Sequence, residues 1–288
     1  MRLRTSSLRL LPLLAAVPLL AACNNFQGGG DVPSKPTKSV LGNGDRISDV
    51  LGPATWFDAK NGMSVNCASP AEEDVDITGV SIMAVDRFDE VADGALGNVY
   101  VQDTKDNPGE FEGMTIFDPG FSPPDLRVAR GDVLDILGVY SEFMGPTSGL
   151  FGKCKSLPEI SGTATFRFEG STTPAKKVPL QDLYGYVNAR RYLGMLVTIE
   201  NVTIGADPVS SNSALPTGGR YTTDLDHTNI DTTGVDVGDY PKISNELYDV
   251  LNDGPVLAKG DKFKSITGIV TYFYGFKIAP RSPEDFVK

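Results

Sequence analysis

The 288 residues hold one histidine, one tryptophan, three cysteines and no long basic run. Each shortage excludes something. A metal-dependent phosphodiesterase sets carboxylates beside histidines to activate water and protonate a leaving group. The single histidine, His227 in TTDLDHTNIDTTGVDVGD, does not provide that set and reads as a surface residue. No Gly-x-Ser-x-Gly elbow presents a serine nucleophile, and no P-loop, dinucleotide fingerprint or zinc spacing occurs. Basic residues cluster only as the pairs Lys176-Lys177 and Arg190-Arg191, against a net charge of −11. A chain that acidic is repelled by polyphosphate backbones unless it carries a local basic groove. Long helical periodicity is also missing beyond the N-terminal segment.

That segment has a clear signature. Arg2, Arg4 and Arg9 precede Leu10 to Leu20, an apolar run of signal-peptide length and too short to span a bilayer as a helix. It closes in Leu20-Ala21-Ala22-Cys23, which resembles the bacterial lipoprotein signal; an ordinary secretory signal followed by chance by Cys23 is the alternative. The resemblance implies cleavage after residue 22, acylation of Cys23 with palmitate-type chains, and stable anchoring, since two or more chains hold a membrane. Asn24 stands where the inner-membrane retention signal would place Asp, which points to the outer membrane. Processing leaves 23 basic against 37 acidic residues, a balance of −14. Residues 23–47, rich in Gly, Pro, Ser and Lys, read as a lipidated flexible tether. In an exported chain Cys67 and Cys154 most simply pair with each other in a disulfide; two buried free thiols are the alternative. A bond would close a loop worth about 4–5 kcal/mol in the chain-entropy model.

The rest is a series of short β-rich runs punctuated by Gly, Pro and Asp: DVDITGVSIMAVD, GNVYVQD, GMTIFDP, DVLDILGVYSEF, TATFRFEG, MLVTIENVTI and SITGIVTYFYGFKI. This pattern predicts an all-β sandwich or barrel. KISNELYDVLND, residues 242–253, is the best helix candidate. ARGDVLDILGVYSEFMG (129–145) and AKGDKFKSITGIVTYFYG (258–275) match in order, as one piece of structure used twice would. Gly138 and Gly268 are then sites for a bend or bulge. In NVYVQ, Val99 and Val101 face one side, and Asn98, Tyr100 and Gln102 the other, with residues 104–112 as the loop of a hairpin.

The order ITGVSIMAV, NVYVQD, GMTIFDP, ARGDVLDILGVYSEF, followed by YLGMLVTIENVTI and ITGIVTYFYGFKIAPRSPEDF, resembles the tandem OB-like modules that precede the catalytic domain of secreted bacterial endonuclease/exonuclease/phosphatase-type nucleases. No catalytic domain follows these modules in the sequence. The resemblance implies an all-β chain of two OB-like barrels behind the signal and tether. The first, with an N-terminal packing segment that includes Trp56, covers 48–172, and the second, with an acidic loop insertion, covers 180–288. OB barrels take ligands on the face of strands 2 and 3 and in adjoining loops. That makes Tyr100, Gln102 and Phe117 in the first module, and Tyr272, Tyr274 and Phe276 in the second, candidate ligand residues; filling the core is their other reading. Asp224, Asp226, Asn229 and Asp231 offer closely spaced oxygens for calcium, but the EF-hand pattern fails and a solvated acidic loop is the favoured reading. The expectation is a non-enzymatic, cofactor-free envelope protein that binds or assembles with a protein or glycan partner. Competing with it are an accessory oligonucleotide-binding protein and a calcium-dependent hydrolase.

Overall fold

The structure, a computed structural model, describes residues 44–51, 72–86, 97–124, 127–147, 149–152, 155–170, 173–212 and 220–288. The signal segment, Cys23, most of the tether, Trp56, Cys67 and Cys154 lie outside the described residues. The chain is all-β, with barrel-like units.

The first unit contains α1 (Ile47–Leu51), β1 (Glu73–Val85), β2 (Val99–Asp103), β3 (Gly113–Ile116), β4 (Gly120–Ser122), β5 (Asp132–Phe143) and β6 (Leu157–Gly170). β1 pairs with both β2 and β5, β2 with β3, and β5 with β6. The parallel pairing of β3 with β6 closes the ring. The sequence of β1 shows how one strand serves both sides. Its inward residues are Val75 and Ile77, then Val80 and Ile82, so the alternation slips by one residue at Thr78-Gly79. The register against β5 shifts there, and Gly79 has φ +62°, a region that glycine enters without a Cβ penalty. The Gly79 amide donates to Asp135 Oδ1 at 2.8 Å. Beyond this bulge β1 turns from β5 towards β2.

The second unit contains β7 (Lys176–Lys177), β8 (Leu196–Thr203), β9 (Val209–Asn212), β10 (Arg220–Asp224), β11 (Lys242–Ser244), β12 (Lys262–Tyr272), β13 (Phe276–Ala279) and β14 (Phe286–Val287). β12 lies between β8 and β13, β13 runs parallel to β11, and β11 pairs with β10. The Ile204–Leu225 bridge joins the end of β8 to the end of β10. The second sheet thus repeats the connection order of the first ring, closing through one bridge where the first has a full ladder. β5 and β12, the strands of the repeated sequence, occupy the same place in the two rings.

Two details differ from expectation. The ladders run through Gly138 and Gly268 without a register shift, so neither marks a bulge. Close approach explains them: a Cβ on Gly138 would lie 2.6 Å from the Ser161 carbonyl oxygen, and one on Gly268 would lie 2.8 Å from the Ala279 carbonyl group. Residues 242–253 are not a helix through their length. Lys242–Ser244 is a strand held on both sides, with Ile243 in the core, and only Val250–Asp253 makes a helical turn, capped by Asp249 accepting from Asn252 N. Tertiary pairing here outweighs local propensity.

Each ring has its own apolar core, and a third cluster lies between them. It consists of Met83, Ala84 and Tyr100 from the first ring with Leu196, Leu247, Ile269 and Ala279 from the second. Among the described residues no helix is long and apolar enough to cross a membrane.

Candidate functional site

The pair Gln102-Asp103 at the end of β2 organises the junction. Val99 and Val101 point into the first core, so Tyr100 and Gln102 face outward, onto the second ring. Gln102 is fully buried, and its Oε1 accepts the Leu196 amide at 3.0 Å. Asp103, also buried, accepts the amides of Ile47 at 2.9 Å and Ser48 at 3.3 Å, which ties α1 to the barrel. Burial pushes the Asp103 carboxyl up, opposed by those two amides. Next to this pair the two backbones nearly touch. A Cβ on Gly113 would fall on the Met195 amide, and one on Gly194 would lie 2.6 Å from the Met114 amide nitrogen. The Phe111 amide donates to the Arg191 carbonyl at 2.7 Å.

A buried ion pair completes the junction. Arg190, in the segment leading into β8, donates to Glu142 on β5, and both side chains are almost wholly buried. Glu142 also accepts from Ser156 Oγ at 2.6 Å and from the Tyr140 hydroxyl. The Tyr186 hydroxyl accepts from the Ser156 amide at 2.8 Å and from Arg190 at 3.0 Å. Burial works against the Arg190 charge, but Tyr186 and Glu142 outweigh it and hold the guanidinium protonated. Glu159 stands nearby on β6; burial first, then the Glu142 charge, pushes its carboxyl up to about 7. Sequence reasoning missed these residues because 48 positions separate Arg190 from Glu142 and neither belongs to a motif.

The six residues expected to form a ligand face are not exposed together; of them, Tyr100 and Tyr272 line one small hollow. Gln102 and Tyr100 are spent on the junction, and Tyr272 and Phe276 are buried in the second core. Phe117 (48% exposed) and Tyr274 (51%) remain open to solvent. Among the described residues no ring contact joins them. Tyr274 belongs instead to an apolar rim where the β5–β6 and β12–β13 connections meet. Phe151 is its hub, with edge-on contacts to Phe143, Tyr272, Phe273 and Tyr274 at centroid distances of 5.2–5.5 Å. The Tyr274 hydroxyl donates to the Gly149 carbonyl, which joins the two loops, and Tyr274 sits at φ +53°, in the left-handed region.

The acidic loop connects β10 to β11. Asp226 accepts from Thr228, Asp231 from Thr233 and Asp236 from Gly238, and these bonds hold each carboxyl below the usual carboxylate range. Asp224 pairs with Lys242 at 3.1 Å, Asn229 is exposed, and the His227 ring packs on Tyr240 at 5.2 Å. Gln181 pins the loop by exchanging hydrogen bonds with the Asp231 backbone at 2.8 and 2.9 Å. Among the described residues no three His, Cys, Asp or Glu side chains converge on a point that could hold a metal ion.

Two hollows flank the junction. One of about 40 Å³, lined by Asp86, Asn98, Tyr100, Arg220 and Glu246, is of a size for ordered water. The other, of about 340 Å³, is an open cleft between Met83–Val85, Arg130, Leu247 and Arg281. Arg281 is held there by Asp285 at 2.8 and 2.9 Å. No family model matches the chain, and no curated protein matches it.

Proposed function

We propose that this protein is a non-enzymatic, lipid-anchored module of the bacterial envelope that binds or assembles with a protein or glycan partner. The observation that carries the reading is the burial of the strand-2 residues Tyr100 and Gln102 against the second ring. OB-type barrels receive extended oligonucleotides on that face. Here the face holds the second barrel, which favours a rigid two-barrel block presenting loops and rims over a nucleic-acid reader. The overall charge of −11 favours the same choice. The lipoprotein-like ending at Cys23 supports the anchor, with the outer membrane as its place. Oligonucleotide binding and calcium-dependent hydrolysis are the competing readings.

The test is made on protein extracted from membranes of its own cells. The reading expects an N-terminal peptide that begins at acylated Cys23, and discrete adducts when envelope proteins are crosslinked before extraction. An unmodified N-terminus would remove the anchor. Turnover of a phosphodiester substrate that calcium stimulates would replace the binding module with the hydrolase.

A further inference from the structure

We infer that the apolar rim at the β5–β6 and β12–β13 connections is a second membrane contact, which rests on the bilayer interface when the lipid anchor holds the protein there. Four large apolar side chains from three loops are exposed at this rim: Leu150 (65%), Phe273 (39%), Tyr274 (51%) and Val237 (71%). Val237 joins the others because Gly238 packs against Gly275, where a Cβ would lie 2.7 Å from the Gly238 carbonyl oxygen. A phenyl ring and a phenol beside aliphatic residues are the composition that settles at the headgroup level of a bilayer.

The charges around the rim leave a negative excess, with Glu73 and Asp74 exposed where β1 begins, which favours a neutral lipid surface over an anionic one. Lys155 is shared by two carboxylates, Asp239 at 2.8 Å and Asp236 at 3.5 Å, which leaves one negative charge there. Lys277 lies over the Phe273 ring at 5.8 Å from its centroid and is paired with Glu246, so its charge is held against the protein beside the ring.

Chain entry gives the reason for choosing a membrane over other occupants. Asp45 bridges Ile77 in the parallel sense: its amide donates to the Asp76 carbonyl, and its carbonyl accepts the Thr78 amide. The chain therefore reaches the first barrel from the end at which β1 begins. Glu73 there pairs with Tyr140, three residues before β5 ends and the Leu150 connection starts. The segment that starts at Cys23 thus joins the barrel at the end that carries the rim. About twenty residues separate Cys23 from Asp45, so the chain that arrives from the proposed acylation site enters at this end.

The inference rests on the lipid-anchor reading for its biological setting, but its test does not use the anchor. A chain starting at Asn24 retains every hydrogen bond and apolar cluster described above, all of which lie in residues 44–288. That unacylated chain is sedimented with neutral phosphatidylcholine vesicles at increasing lipid concentration. Measurable partitioning that is insensitive to salt is expected. Leu150→Ser combined with Tyr274→Ser should lower the partition coefficient about tenfold, from the loss of two half-buried apolar side chains. Val237→Ser alone, at a position outside the aromatic cluster, should lower it about threefold. Absence of partitioning, or partitioning that all these variants retain, would overturn the inference. So would self-association of the chain that the same variants abolish, because a second copy would then be the occupant. An unacylated Cys23 in cell-extracted protein is a separate result that bears only on the anchor.

Discussion

Replacing Arg190 by methionine removes the one cation from a network that is otherwise left in place. The Arg190 side chain is 4% exposed and that of Glu142 is not exposed at all. The variant leaves the Glu142 carboxylate buried with only the Ser156 and Tyr140 hydroxyls as donors, and it takes one donor from Tyr186. Breaking a buried pair from one side costs about 3–5 kcal/mol, a large part of the stability of an ordinary domain. Glu142→Leu strands the opposite charge and should cost a similar amount. The double variant restores neutrality. It still leaves the Tyr140 hydroxyl short of an acceptor, so it should lie about 1–2 kcal/mol below the unsubstituted protein. The singles and the double then show a coupling of at least about 2 kcal/mol. Urea unfolding followed by tyrosine fluorescence and far-ultraviolet dichroism measures all four proteins. A loss below about 1 kcal/mol for Arg190→Met, or effects that add within about 0.5 kcal/mol, would refute the claim that this pair locks the barrels.

Other expectations concern the same junction. Gly113→Ala places a methyl group on the Met195 amide and should cost about 1–3 kcal/mol, seen as a lower thermal midpoint. Gly194→Ala adds a φ of +73° to a similar clash and should cost at least as much; an unchanged midpoint in either would show that the backbones part easily. Glu159 is raised in the fold from 4.5 to about 7, so its contribution to stability is fully present below pH 4.5 and is lost as pH rises through about 7. For a partly exposed group the loss between pH 5 and pH 8 should be about 1–2 kcal/mol. Glu159→Gln should flatten that part of the urea-midpoint profile, and an unchanged slope would place the titration elsewhere.

How much of this was legible in the sequence differs from element to element. The strands were, because runs such as NVYVQD and DVLDILGVYSEF alternate or carry β-branched residues between Gly, Pro and Asp punctuation. The bulge in β1 was not read from the sequence, which placed its bend or bulge sites at Gly138 and Gly268 instead; the slip between Val75-x-Ile77 and Val80-x-Ile82 gains its meaning only from the pairing with β5. Strand β11 was not, because three residues are too few for a period and its pairing with β10 and β13 arises only in the closed ring. The alternation in NVYVQ correctly separated Tyr100 and Gln102 from the core valines. It could not say what covers that face, because the covering residues begin at Leu196, 94 positions after Gln102. Tyr274 could be named from its place in a hairpin rich in aromatics, whereas its neighbours Leu150 and Val237 come from loops whose sequence shows no pattern. The Arg190–Glu142 pair was invisible for the same reason: contact across folded units leaves no local signature.

The most direct test of the account is fluorescence anisotropy of a short labelled single-stranded oligonucleotide, titrated with the chain that begins at Asn24 at low and then moderate salt. With Tyr100 and Gln102 closed off by the second barrel and an acidic surface outside, no saturable binding is expected even at low salt. Saturable binding that weakens as salt rises, and that Phe117→Ala or Tyr274→Ala reduces, would contradict the account and show that these barrels read nucleic acid through the surfaces they leave open.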